Sequence, residues 1–228
     1  MPISIAIDGP AGAGKSTVAK KLAKELGFTY VNTGLMYRCI AYVCNKYEID
    51  LNDKERIARI PELFGFKYIA ENGNFSIIIA DKVFPTPELY TPEIASIVPK
   101  ISPIEPLRAF MRETQRDIAS KHNIVMEGRD IGTVVLPNAT FKYFITASIK
   151  TRAQRRYEQL LDEGIYLNYE DIYKSIQQRD ILDQTREHSP LIQAHDAVLI
   201  ETDNLSPDEI VTNITDKIGM HIDNTRSL

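Results

Sequence analysis

Residues Gly9-Pro10-Ala11-Gly12-Ala13-Gly14-Lys15-Ser16 set two glycines, a lysine and a hydroxyl at the spacing of a phosphate-binding loop. Unrelated sequence meets that pattern about once in tens of thousands of windows. The chemistry follows from the residue types. Glycines let the backbone curl so that successive N–H groups face one anion. Lys15 can reach the outer phosphates, and the Ser16 hydroxyl is the expected contact for Mg²⁺.

Two further groups of charged residues have spacings that suit a phosphorylated ligand. Glu127-Gly128-Arg129-Asp130 follows the apolar run Ile124–Met126, so Arg129 and Asp130 fall at a strand's carboxyl end, where parallel sheets bind ligands. Glu127, Asp130 or Asp8 is suited to hold a water on the metal. Ile172, Ile176, Arg179, Asp183 and Arg186 share one helical stripe, apolar in its first half and charged in its second. The charged half reads as entering a cleft, where Arg grips phosphate and Asp meets a sugar hydroxyl; the other reading is an internal Arg–Asp–Arg ion network. Arg152, Arg155 and Arg156 lie on a helix from Thr151 to Gly164. They read either as a solvated face or as a lid that brings charge onto a transferring group.

The elements that must position these groups are legible around them. Ile3–Ile7 is strand-like, and Val18, Leu22 and Leu26 mark the helix after the loop, with Gly27 as its cap. The anion therefore meets a helix N-terminus. Phe28–Val31, Ile124–Glu127, Phe141–Thr146 and Val198–Glu201 are further strands. Helices between them carry Met36, Ile40, Val43 and Tyr47, with Thr33 as the expected N-cap, and Leu107, Met111, Thr114 and Ile118. A helix over about 169–186 takes Asn168 as N-cap, and the last helix opens on the capping box Ser206-Pro207-Asp208-Glu209 and buries Ile210, Ile214 and Ile218. Alternating strands and helices predict a parallel sheet covered on both faces. Phe66–Ala70 and Phe75–Ile79 flank Asn72-Gly73, a hairpin signal, and Lys82-Val83-Phe84 can add a third strand. Residues 62–98 thus form a small antiparallel insertion, which either closes over a substrate or decorates the surface.

Composition narrows the function. The chain has 228 residues, 43% of them hydrophobic and 25% charged, which suits one α/β domain with insertions or two small domains. No apolar run approaches a membrane span, and the N-terminus does not read as a signal segment. A net charge of −4 argues against general binding to nucleic acid. Cys39 and Cys44 are spaced poorly for a disulfide on one helix, so free thiols and a cytoplasmic location are expected. His122, His188, His195 and His221 have no metal-ligand spacing. A guanine-reading Asn-Lys-x-Asp is missing, since Asn45-Lys46-Tyr47-Glu48 ends in the wrong residue.

Taken together, Asp8–Ser16, Thr33-Gly34-Leu35-Met36-Tyr37-Arg38, Gly128-Arg129-Asp130-Ile131-Gly132-Thr133 and the Arg179, Asp180, Asp183, Arg186 pattern resemble the bacterial cytidylate (CMP) kinase family over nearly the whole chain. The resemblance implies a P-loop NTPase-type α/β fold: a parallel five-stranded sheet flanked by helices, with the antiparallel insertion and a helical lid. It implies a core of residues 1–31, 99–150 and 168–228, a nucleoside-monophosphate-binding region at 32–98 and a lid at 151–167. The implied reaction is ATP-to-CMP or dCMP phosphoryl transfer with Mg²⁺ by a cytoplasmic monomer, with neither nucleic acid nor membrane as partner. The family pattern puts ATP on Gly9, Pro10, Ala11, Gly12, Ala13, Gly14, Lys15, Ser16 and Thr17. It puts the CMP phosphate on Arg38, Arg129 and Arg186, the sugar on Arg179, Asp183 and Thr33, and cytosine on Arg108 and Asp130. Lys15, Arg129, Arg186 and the lid arginines Arg152, Arg155 and Arg156 form the implied catalytic set. One position departs: Pro99 stands where a serine is expected near the base, leaving Ser102 as a neighbouring hydroxyl. From the residues alone, a P-loop kinase for UMP, AMP or a non-nucleotide acceptor, or a nucleotide-dependent switch or ATPase, stays open.

Overall fold

The computed structural model describes residues 2–71, 73–162 and 164–226, the last seven by backbone alone. In chain order the elements are β1 (Ser4–Asp8), α1 (Lys15–Leu26), β2 (Thr29–Asn32), α2 (Thr33–Lys46), α3 (Lys54–Ala58), α4 (Ile60–Leu63), β3 (Lys67–Glu71), β4 (Asn74–Ile79), β5 (Lys82–Phe84), α5 (Pro92–Ile101), α6 (Glu105–Lys121), β6 (Ile124–Gly128), β7 (Phe141–Thr146), α7 (Ile149–Asp162), α8 (Tyr169–Thr185), β8 (Val198–Glu201) and α9 (Pro207–Arg226). The predicted five-stranded parallel sheet is present, in the order β2-β6-β1-β7-β8. Strands β3, β4 and β5 form a separate antiparallel sheet, as the hairpin signal predicts, although Asn72 of that signal lies outside the described residues.

Two compact units divide the chain. One comprises Phe28–Ile124; the other comprises Ile3–Gly27 and the residues from Val125 onward. In the first, α2 supplies the centre of the core. Leu35, Met36, Cys39, Ile40, Val43 and Cys44 recur at three- and four-residue spacing and pack with Ile77, Ile79, Phe84, Leu89, Ile94, Ile97 and Ile101. Both thiols are free and buried, and burial pushes Cys44 up to about 11. The expected N-cap is corrected. Thr33 is already inside the helix, and the Asn32 side chain accepts the Leu35 N–H at 3.1 Å. Asn is as good a cap as Thr, and its extended φ/ψ let the helix begin one residue earlier.

In the second unit β1 is buried from Ile5 to Asp8, with Ile5, Ala6 and Ile7 apolar, as a strand covered on both faces must be. It pairs in parallel with β7, Ile5 opposite Phe141 and Asp8 opposite Phe144, and β7 pairs in parallel with β8. Gly27 ends α1 in the left-handed conformation, as expected, its N–H reaching the Ala23 and Lys24 carbonyls. Helix α9 opens on a formed capping box: the Ser206 N–H meets Glu209 at 2.8 Å and the Glu209 N–H meets the Ser206 hydroxyl at 3.3 Å. Helices α7 and α8 pack against each other through Ala153, Leu160, Ile172 and Ile176, ringed by Tyr157, Tyr169 and Tyr173. Among the described residues no helix is long and apolar enough to cross a membrane.

Candidate active site

The loop between β1 and α1 has the conformation that its glycines permit. Gly9, Gly12 and Gly14 have φ of 146°, 76° and 88°, values that disfavour side chains. At Gly9 a Cβ would stand 1.9 Å from the Ile145 carbonyl oxygen, so the approach of β7 to the loop excludes any other residue. Gly14 is the N-cap of α1 and supplies no side-chain oxygen to it. The first N–H groups of α1 are thus available to an anion, reinforced by the helix dipole. Lys15 is buried, and its ammonium donates to the Pro10 carbonyl at 2.7 Å. Burial, then the charge of Arg129, push its pKa down to about 7, while Glu127 and Asp8 oppose that shift. Ser16 is exposed in the first turn of α1, so its hydroxyl suits a hydrated Mg²⁺ beside phosphate.

Asp8, at the end of β1, acts as an anchor. Its carboxylate accepts the N–H groups of Ile131 and Gly132 at 2.8 and 2.7 Å, tying the segment after β6 to the base of the phosphate loop. Burial raises its pKa to about 6 despite those bonds. Arg129 and Asp130 sit in that segment. The Arg129 Nε donates to Asp183 of α8 at 2.8 Å, and Arg186 lies 3.8 Å from Asp130. Sequence spacing leaves the ion network of α8 internal or open to a cleft. In the structure Asp183 and Arg186 pair with Arg129 and Asp130 of the segment after β6, and all four side chains are largely buried. Arg179 contributes to the positive potential at Lys15.

The three arginines of α7 differ in surroundings. Arg152 is buried and makes a two-armed pair with Asp180, at 3.0 and 2.5 Å. Its other donors reach the Ala147 carbonyl at 2.9 Å and the Ala11 carbonyl of the phosphate loop at 3.1 Å. Arg155 reaches the Thr202 hydroxyl and carbonyl at 3.0 and 2.6 Å, and Arg156 is exposed. Asp180 and Thr202 are partners that spacing alone did not single out. Asp180 falls off the charged stripe by one residue and enters the sequence reading only within the family pattern, and Thr202 is a lone threonine after a strand; both are buried.

The remaining site residues belong to the first unit. Thr33 is buried in the first turn of α2. Arg38 donates to the Leu89 carbonyl at 2.8 Å and lies 5.3 Å over the Tyr90 ring. Arg108, in α6, is buried, donates to the Ser102 carbonyl at 3.2 Å and lies 6.0 Å from the Tyr37 ring centre. Pro99 lies inside α5, where it can donate no hydrogen bond to the Ala95 carbonyl, and the helix ends two residues later.

A glycine cradle at an uncapped helix N-terminus, set on a parallel sheet beside buried and ion-paired arginines, defines a P-loop NTPase-type α/β protein. The family model described as "Cytidylate kinase" matches residues 5–220. A cytidylate kinase of Caldanaerobacter subterraneus subsp. tengcongensis is 44% identical over 96% of this chain and 95% of its own. Another, of Carboxydothermus hydrogenoformans, is 43% identical over 94% of this chain and 96% of its own. A solved structure described as an uncharacterized protein from Eubacterium ventriosum shares the fold, with a TM-score of 0.52 at 16% identity over 95% of this chain and 98% of its own. The chain belongs to the cytidylate kinase family, and its enzyme class is that of a nucleoside monophosphate kinase.

Proposed function

We propose that this protein transfers the γ-phosphoryl group of ATP to CMP or dCMP. The match to the cytidylate kinase family over nearly the full chain carries this reading. A phosphate oxygen of the acceptor attacks the γ-phosphorus in line as the bond to the β,γ-bridging oxygen breaks, and ADP leaves. The acceptor is already largely dianionic at pH 7, so no strong general base is needed. Positioning and charge neutralisation are the protein's main tasks.

In this reading the 9–17 loop and Lys15 hold the ATP phosphates, and the Ser16 hydroxyl helps to hold Mg²⁺, which neutralises charge on the phosphates when bound. Arg129, Arg186 and Arg38 hold the acceptor phosphate, Asp183, Arg179 and Thr33 its sugar, and Arg108 and Asp130 its base. The positive potential of Arg129 at Lys15 and the pairing of Arg129 with Asp183 support grouping these residues around one anionic ligand. Segment 151–167 serves as the lid, with Arg152, Arg155 and Arg156 as its cations, and 32–98 as the acceptor-binding region. Buried free thiols suit a reducing cytoplasm, and the protein acts as a monomer.

The test is ADP production from Mg-ATP with CMP, dCMP, UMP, AMP, GMP and shikimate in turn, beside a control without acceptor. Turnover on CMP and dCMP is expected. Preference for another acceptor would overturn the roles of Arg108 and Asp130, and ATP loss independent of acceptor would identify an ATPase or switch.

A further inference from the structure

Two carbonyl groups of the phosphate loop, those of Ala11 and Ala13, are bonded by side chains from outside the loop, and this orients the N–H groups that follow them. In a trans peptide the C=O of one residue and the N–H of the next point in opposite directions. The Ala11 carbonyl accepts from Arg152 at 3.1 Å, so the Gly12 N–H is aimed away from Arg152. The Ala13 carbonyl accepts from the Thr202 hydroxyl at 3.2 Å, so the Gly14 N–H is aimed away from Thr202. Arg155 in turn bonds Thr202. Two arginines of α7 thus brace alternate peptides of the loop, one directly and one through a buried threonine.

Arg152 performs this only if its guanidinium is fixed, and Asp180 fixes it. The two side chains are almost completely buried and meet through two parallel N–H···O bonds, while the Arg152 Nε is held by the Ala147 carbonyl. One Nη1 hydrogen is left to point at Ala11. We propose that Asp180 is a positioning residue for ATP. Through Arg152 it orients the Ala11–Gly12 peptide, and with it the anion-binding face of the phosphate loop. Asp180 touches no substrate in this assignment. Lysine at position 152 would keep the charge but lose the planar fork and the Nε bond to Ala147, and with them the fixed orientation between Asp180 and Ala11.

The proposal rests on the loop's being the ATP site, and its test reads ATP binding separately from transfer. Wild type, Asp180→Asn, Asp180→Glu, Arg152→Lys and the exposed-surface control Lys174→Ala are titrated calorimetrically with Mg-ATP alone and with CMP alone. Thermal melts and circular dichroism report the folded state. Expected for Asp180→Asn and Arg152→Lys is ATP affinity weakened about tenfold or more, with CMP affinity within about twofold of wild type. Asp180→Glu recovers most of the affinity, and Lys174→Ala matches wild type. Folded Asp180→Asn binding ATP as tightly as wild type would overturn the proposal, as would equal weakening of ATP and CMP. Should Asp180→Asn not fold, Arg152→Lys decides by the same criteria. If wild type binds ATP but does not phosphorylate CMP, the proposed function fails, and the ATP titrations of the folded variants against Lys174→Ala still decide this proposal.

Discussion

Asp183 of α8 accepts the Arg129 Nε–H at 2.8 Å, joining a helix to a strand end 54 residues away in the chain. The contact uses one edge of the guanidinium and leaves the Nη groups directed elsewhere, one of them on the Gly128 carbonyl at 3.3 Å. Asp183 therefore orients the cation assigned to the acceptor phosphate. Arg129→Ala is expected to lower kcat by about a hundredfold or more, the scale of losing one charge-stabilising donor. Asp183→Asn keeps Arg129 but loosens it, and should raise the acceptor KM about tenfold with the ATP KM little changed. Steady-state kinetics with both substrates varied check this; a selective rise in the ATP KM would assign the pair to the donor side.

The cradle of the phosphate loop was legible because each part has a residue-type signature: strand, glycines at fixed spacing, lysine, amphipathic helix, glycine cap. The antiparallel sheet was legible for the same reason, from alternation and turn residues. What escaped is what depends on long-range packing. Helices α3 and α4 are too short to set up a period, and α5 carries a proline that reads as a break. The π-helical turn Ile131–Val135 has its first two N–H groups held by Asp8, more than 120 residues earlier, a partner that no local pattern announces. Arg152 looks like its neighbours Arg155 and Arg156 in sequence. Only the fold reveals that one is buried on Asp180, one rests on Thr202 and one is exposed.

Lys15 predicts a proton uptake on ATP binding. Its pKa is pushed down to about 7, first by burial and next by Arg129, so above that pH the free protein holds it largely neutral. Phosphate oxygens favour the ammonium form and raise the pKa in the complex. Binding at pH 8 should take up a fraction of a proton, and ATP affinity should fall as pH rises from about 7. Calorimetry at pH 8 in two buffers of different ionisation enthalpy measures the uptake directly. Identical observed enthalpies in the two buffers would refute it.

Backbone demands give a stability prediction at two positions. Gly9→Ala places a Cβ against the Ile145 carbonyl at a φ of 146°, and should cost more than about 3 kcal/mol or prevent folding. Asn32→Ala removes only the cap of α2 and should cost about 1 kcal/mol, whereas Thr33→Ala removes no cap. Urea denaturation separates the three. No measurable loss at Asn32 would contradict the cap assignment.

Asp8 ties local geometry to the pH dependence of stability. Burial raises its folded pKa from the ordinary 3.8 to about 6, against the two backbone N–H bonds that lower it. A raised folded pKa means that the native state binds the proton more tightly than the unfolded chain. The group's stabilisation is therefore fully present below about pH 4, is lost as pH rises towards 6, and stays lost above it. At about 1.4 kcal/mol per pKa unit the full effect is about 3 kcal/mol. Asp8→Asn cannot titrate, and its amide can accept at only one atom, so one of the Ile131 and Gly132 N–H groups loses its partner at a cost of about 1–3 kcal/mol at any pH. Subtracting the variant's urea-derived stability from that of wild type at pH 4, 5, 6, 7 and 8 isolates Asp8 from the other carboxylates. The difference should be largest at pH 4, shrink through pH 6 and level off at pH 7. A difference that grows with pH would mean that the two N–H bonds outweigh burial, and would make the charged carboxylate the form that the fold prefers.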